Sequence, residues 1–172
     1  DVLPISPREH RRLKPGAAAM HLLHLDQPIL EINITPDRGY AFSYRGVARE
    51  YHHSTGAKFV DPVTELNKRA PAAPAVESGV SSDIEVIVDD NNPIHGVTGC
   101  DRYVARAIHG FDPTNHTPNW MRRRLIRAGM RSISLAVDVT NYVMLDLGQP
   151  MHAYDLDKIE GPIVVRRAAE GE

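Results

Sequence analysis

Cysteine is almost absent. Cys100 is the only one in 172 residues, so no intrachain disulfide can form and a cysteine-rich zinc site is excluded. His95 stands five residues before it, but one thiol and one imidazole make half a metal site at best. Long apolar runs are also missing: nothing approaches the roughly 18 residues a membrane helix needs. The N-terminus, with Pro4, Pro7, Arg8, Glu9, Arg11 and Arg12, lacks the apolar centre of a signal peptide, so the expectation is a cytoplasmic protein with no membrane partner. No phosphate-binding glycine loop, nucleophile elbow or His-Glu-x-x-His pair occurs, so no motif names a reaction or an ATP site. The acidic side chains Asp138, Asp146, Asp155 and Asp157 show no metal-ligand spacing and read as caps and solvated positions.

What is present fits a globular protein, with 42% hydrophobic residues. The net charge of −2 argues against nucleic-acid binding through overall charge. Local charge differs. No acidic residue lies between Asp112 and Asp138, whereas Arg122, Arg123, Arg124, Arg127 and Arg131 fall within ten positions. That cluster reads either as a solvated helix face or as an RNA contact.

Residues 1–17 read as an extended lead-in, followed by a helical turn over Ala18 to Leu23. Leu30, Ile32 and Ile34 alternate with Glu31 and Asn33, the period of a half-buried strand. Thr35, Pro36 and Asp37 then supply a helix start. The predicted helix runs to Ser54 on a stripe of Ala41, Tyr44, Ala48 and Tyr51, with Gly56 as its stop and Gly46 marking a close approach. Ala-, Pro- and Ser-rich residues 66–82 read as a linker. Beyond it Ile84, Val86 and Val88 predict a strand, Tyr103 to Ile108 another, and Ile163 to Val165 a final buried one. Thr117 and Pro118 predict a helix to Ala128 that buries Met121, Leu125 and Ala128 and ends at Gly129. Leu135 to Leu147 fits either period; the Gly148 and Pro150 stop favours a helix. The fold class is therefore α+β (mixed α/β).

The run Asp138 to Asp155, Asp-Val-Thr-Asn-Tyr-Val-Met-Leu-Asp-Leu-Gly-Gln-Pro-Met-His-Ala-Tyr-Asp, resembles the editing-domain signature of the bacterial phenylalanyl-tRNA synthetase β subunit. Two other stretches are similar to that family in the right order. Thr35-Pro36-Asp37-Arg38 leading to Arg45-Gly46-Val47-Ala48-Arg49-Glu50 is like the second half of its first domain. Cys100-Asp101-Arg102-Tyr103, then Ala128-Gly129-Met130-Arg131-Ser132-Ile133, is like the opening of its editing domain.

The resemblance implies an arrangement: residues 1–23 as a lead-in from the tRNA-binding insertion, 24–65 as the second half of the first domain, 66–82 as the linker, and 83–172 as the N-terminal half of the editing domain. It implies a function in tRNA binding and in hydrolysing tyrosine wrongly esterified to phenylalanine tRNA. By matching motif, Arg131, Pro150 and His152 would belong to the editing pocket. Arg131 would hold a phosphate or ribose, and His152 would contact the ribose or orient water as the catalytic candidate. Both are expected to reach one concave surface. Taken alone, each residue also reads as an ordinary solvated or structural side chain. The partners implied are tRNA and the synthetase α subunit, in a heterotetramer. Editing needs no cofactor, while ATP and magnesium would serve aminoacylation in the α subunit. The family's pocket is completed by a later glycine-rich stretch, an acidic residue and a threonine, none of which precedes Glu172. A free-standing editing hydrolase and a non-catalytic RNA-binding or scaffold module are the alternative readings.

Overall fold

The computed structural model describes residues 14–22, 26–69, 84–90 and 96–172. Most of the expected linker, including Pro71 and Pro74, lies outside the described residues. The architecture is α+β. Helix α1 is the single turn Ala19–Leu22, followed by a 3-10 helix at Pro36–Ala41, α2 at Tyr44–Thr55 and α3 at Pro62–Arg69. Strand β1 (Val86–Asp89), α4 (Asn119–Arg127), α5 (Leu135–Leu147), a 3-10 turn at Leu156–Lys158 and β2 (Ile163–Arg166) complete the chain. Helix α5 is the centre: α2 and α4 both pack against it.

The helix expected from Pro36 to Ser54 is in fact two elements. Ser43 breaks it with extended backbone, φ −149° and ψ 156°. Its hydroxyl accepts from the Gly46 amide at 3.0 Å and donates to the Tyr40 carbonyl at 3.0 Å, so it caps α2 while holding the preceding turn. Thr35, the expected cap, makes no side-chain capping bond. Gly46 is the expected close approach, since a Cβ there would lie 1.9 Å from the Tyr40 carbonyl oxygen. Gly56 ends α2 at φ 73°. Of the expected stripe, Ala41 is buried whereas Tyr44 and Tyr51 are exposed, because the chain turns at Ser43 and carries them to different surroundings.

Helix α3 crosses the expected start of the linker at Leu66. Asp61 organises it, accepting from the Val63 amide at 3.0 Å and from Arg45 through both carboxylate oxygens, at 2.9 and 2.7 Å. Asp61 followed by Pro62 is the same cap-and-proline signal as Thr35 and Pro36, and was readable in the sequence.

Two expected strands are not strands. Residues 29–34 and 103–108 belong to no strand or helix, and Leu30 is 83% exposed. Alternation suits a strand only where another strand supplies hydrogen bonds, and none of the described residues does so here. Among the described residues one sheet forms, pairing β1 with β2 in parallel, Val86 opposite Ile163 and Asp89 opposite Arg166. Asp90 closes its end, accepting from Arg167 Nε at 2.7 Å and from the Gly99 amide at 2.6 Å. β2 is half-buried rather than buried, because alternate residues face out.

Helices α4 and α5 match their expected ranges closely. Met121 and Leu125 are buried, Leu125 completely, contributing about 2 kcal/mol for such a side chain. Ala128 is exposed, because α4 ends at Arg127 and the chain turns away through Gly129 at φ 78°. Thr117 does not cap α4; its hydroxyl goes elsewhere, as described next. Helix α5 starts on Ser134, whose hydroxyl accepts from the Val137 amide at 3.4 Å, and stops at Gly148, φ 81°.

Candidate functional site

The α4 and α5 hairpin carries most of the candidate residues. On α4, Arg122, Arg123 and Arg127 are half-buried and Arg124 is exposed, so the cluster is not one solvated face. Arg124 Nη1 donates to the Tyr142 hydroxyl at 2.8 Å, and its guanidinium lies 5.9 Å from that ring's centre. Trp120 meets the same ring edge-on at 5.2 Å. This aromatic and cationic contact fastens the outer faces of the two helices, worth roughly 0.5–1 kcal/mol at an exposed site.

Between the helices lies a carboxylate that sequence reasoning placed in solvent. Asp138 is 0% exposed. Its Oδ2 accepts from the Ser132 hydroxyl at 2.5 Å and from the Thr117 hydroxyl, and its Oδ1 from the Ile133 amide at 2.9 Å. Burial pushes its pKa up, but the bonds from Ser132, Thr117 and Ile133, with the charge of Arg122 nearby, outweigh burial and hold it below the ordinary value. A carboxylate with several donors is stable as the anion in the interior. The signal available in sequence was weak: an Asp in the first turn of a helix reads as a dipole partner facing water. Asp155 does act as a cap, accepting from the Asp157 amide at 3.3 Å.

Arg131 is exposed in the loop that Asp138 holds from both of its following residues. Pro150 and His152 are exposed in the loop after Gly148. The two loops leave opposite ends of α5, about 20 Å apart at 1.5 Å rise per residue, and no described contact joins Arg131 to His152. The His152 ring instead lies 6.0 Å from that of Tyr154, whose hydroxyl is 3.2 Å from that of Tyr103. Hydrogen bonding to Tyr154, with burial, pushes the Tyr103 phenol up to about 12. Tyr103 and Tyr154 thus tie the 103–108 segment to the histidine loop. A depression of about 310 Å³ is lined by Ile84, Glu85, Leu156, Ile159, Gly161 and Pro162; none of the candidate residues borders it. No group of three or more His, Cys, Asp or Glu side chains among the described residues is placed to hold a metal ion. None of the described helices is long and apolar enough to cross a membrane.

Residues 99–172 match the family model of the B3/4 domain, which spans α4, Asp138, α5 and the His152 loop. Over 97% of its length the chain is 75% identical to the phenylalanine–tRNA ligase beta subunit of Bifidobacterium longum, covering 19% of that protein. The beta subunits of Leifsonia xyli and Thermobifida fusca are 52% and 48% identical over 91% and 92% of the chain, which covers 18% and 17% of them. Along nearly its whole length the chain is similar to a segment of phenylalanine–tRNA ligase beta subunits. It spans about a fifth of the length of the relatives it matches. Both the Asp138 clamp and the Tyr103–Tyr154 pair fall in the part matched by the B3/4 model.

Proposed function

We propose that this segment works as part of a cytoplasmic phenylalanine–tRNA ligase, binding tRNA and contributing to the hydrolytic removal of tyrosine from phenylalanine tRNA. The observation that carries the reading is the 75% identity over 97% of the chain to a ligase beta subunit. The physical need is clear. Phenylalanine and tyrosine differ by one hydroxyl, and a hydrophobic synthetic site rejects an added hydroxyl by only about a hundredfold. A second site that tests for the hydroxyl removes the error. In it, water adds to the ester carbonyl, the acyl carbon–oxygen bond breaks, and the ribose oxygen takes a proton, releasing tyrosine and intact tRNA.

His152 is the side chain suited to contact the ribose or orient that water, since imidazole donates and accepts near neutral pH. Arg131 offers a fork of donors to a phosphate, and Pro150 shapes the loop that carries His152. The half-buried and exposed arginines of α4 offer further contacts to the tRNA backbone. The proposed domain arrangement is 24–65 from the first domain and 83–172 from the editing domain. The α subunit is the proposed partner, in a heterotetramer, with ATP and magnesium serving aminoacylation there.

The test is deacylation of tyrosyl-tRNA by the full-length subunit assembled with its partner. His152→Ala is expected to slow hydrolysis at least about tenfold while phenylalanylation continues; unchanged hydrolysis overturns the role of His152. The 172-residue chain alone is expected not to hydrolyse tyrosyl-tRNA at an editing-like rate. Rapid turnover by it, lost on His152→Ala, would favour a free-standing hydrolase.

A further inference from the structure

We infer that Asp138 is the positioning residue of Arg131, fixing through Ser132 and Ile133 the loop from which that arginine reaches an RNA phosphate. The inference rests on the proposed role of Arg131 and deepens it.

Three observations carry it. Asp138 is fully buried, so its carboxylate cannot exchange its protein partners for water. Those partners include the two residues immediately after Arg131: the Ser132 hydroxyl at 2.5 Å and the Ile133 amide at 2.9 Å. On the other side of the loop, Gly129 turns the chain at φ 78° and the Met130 amide donates to the Leu125 carbonyl at 2.9 Å. Arg131 itself is exposed. It is therefore a projecting side chain on a backbone pinned before and after, and the pin after it is an anion with no freedom to move. The Thr117 hydroxyl on the same oxygen ties that anion to the start of α4 as well, so loop and basic helix share one anchor.

A rigid base matters for this ligand class. Arginine recognises phosphate with a planar fork whose orientation sets the number of bonds made, and a loop free to move pays for ordering when it binds. A merely structural carboxylate would serve folding equally well anywhere in the hairpin. One that holds the backbone flanking a single exposed arginine couples folding to binding.

The test is a double-mutant cycle in the full-length subunit assembled with its partner, using tyrosyl-tRNA hydrolysis with KM and kcat separated. Ser132→Ala removes one bond of the clamp without leaving a buried charge unaccompanied, and Ser132→Thr keeps the hydroxyl. We expect Arg131→Ala to raise KM about tenfold, Ser132→Ala to raise it three- to fivefold with kcat retained, and Ser132→Thr to restore it. The double variant Arg131→Ala with Ser132→Ala is expected to match Arg131→Ala alone, because positioning an absent side chain has no value. Multiplicative effects in the double variant overturn the inference while leaving Arg131 as a contact. An unchanged KM in Arg131→Ala overturns the contact itself and the inference with it.

Discussion

Ser43 and Gly148 meet where the start of α2 abuts the end of α5. A Cβ placed on Gly148 would lie 3.0 Å from the Ser43 Oγ and 3.4 Å from its Cβ. Ser43 cannot swing aside, because its hydroxyl already accepts from Gly46 and donates to Tyr40. The residue that launches the His152 loop is thus fixed by the turn before α2.

Gly148→Ala should therefore cost more than an ordinary helix-end glycine. Gly148 has φ +81° and a close neighbour, whereas Gly56 has φ +73° and nothing within 4 Å. Left-handed strain alone costs about 1 kcal/mol, and overpacking adds about 1–3 kcal/mol. Urea denaturation is expected to place Gly148→Ala below Gly56→Ala in stability. Equal midpoints would mean that the contact with Ser43 yields freely.

The acid limb of stability should depend on Asp138. Its folded pKa is depressed, so its contribution is fully present above the unfolded value of about 3.9 and is lost as pH falls through the lower folded value. Asp61 and Asp90 are shifted the same way, so the comparison has to be made against Asp138→Asn. The variant is expected to be less stable near neutrality by about 3 kcal/mol, the scale for disrupting a buried charge network. The two stability curves should converge as pH drops below about 3.9. A constant gap through pH 2–6 would show that the carboxylate charge contributes nothing.

Tyrosine titration reports on the histidine loop. Tyr103 is pushed up to about 12 chiefly by its hydrogen bond to Tyr154. Followed by phenolate absorbance, Tyr154→Phe should bring one late-titrating tyrosine down toward about 10. An unchanged late phase would mean the hydroxyl pair does not persist in solution.

Replacing Arg122, Arg123, Arg124 and Arg127 with Gln should weaken tRNA binding and lower its salt slope by about one unit per lost phosphate contact. Arg124→Gln by itself should also cost about 0.5–1 kcal/mol of stability by losing the Tyr142 face. Filter binding across a salt series, paired with thermal melts, separates the two effects. Identical slopes for wild type and the fourfold variant would return α4 to a solvated role.

Local chemistry was enough for much of this chain. Gly148 after Leu147 and Gly129 after Ala128 stopped helices where the structure stops them, because a left-handed residue ends a helix whatever surrounds it. The spacing of Met121 and Leu125 marked the buried side of α4 for the same reason: helical period is intrinsic to the backbone. The eighteen residues from Asp138 to Asp155 carried the family, since side-chain identity is all a resemblance needs.

What depended on distant partners was decided by tertiary structure. The alternating residues Leu30 to Ile34 and Tyr103 to Ile108 have a strand's pattern, but a strand exists only beside another, and only Val86–Asp89 and Ile163–Arg166 found each other among the described residues. The break at Ser43 arose because one hydroxyl could serve Tyr40 and Gly46 together. Asp138 looked like a solvated helix-start acid and is instead buried, because Thr117 and Ser132, 21 and 6 residues away in sequence, converge on it with their hydroxyls. Side-chain type set what each residue could donate or accept; which donors arrived, and whether water was excluded, followed from how α4 packs on α5.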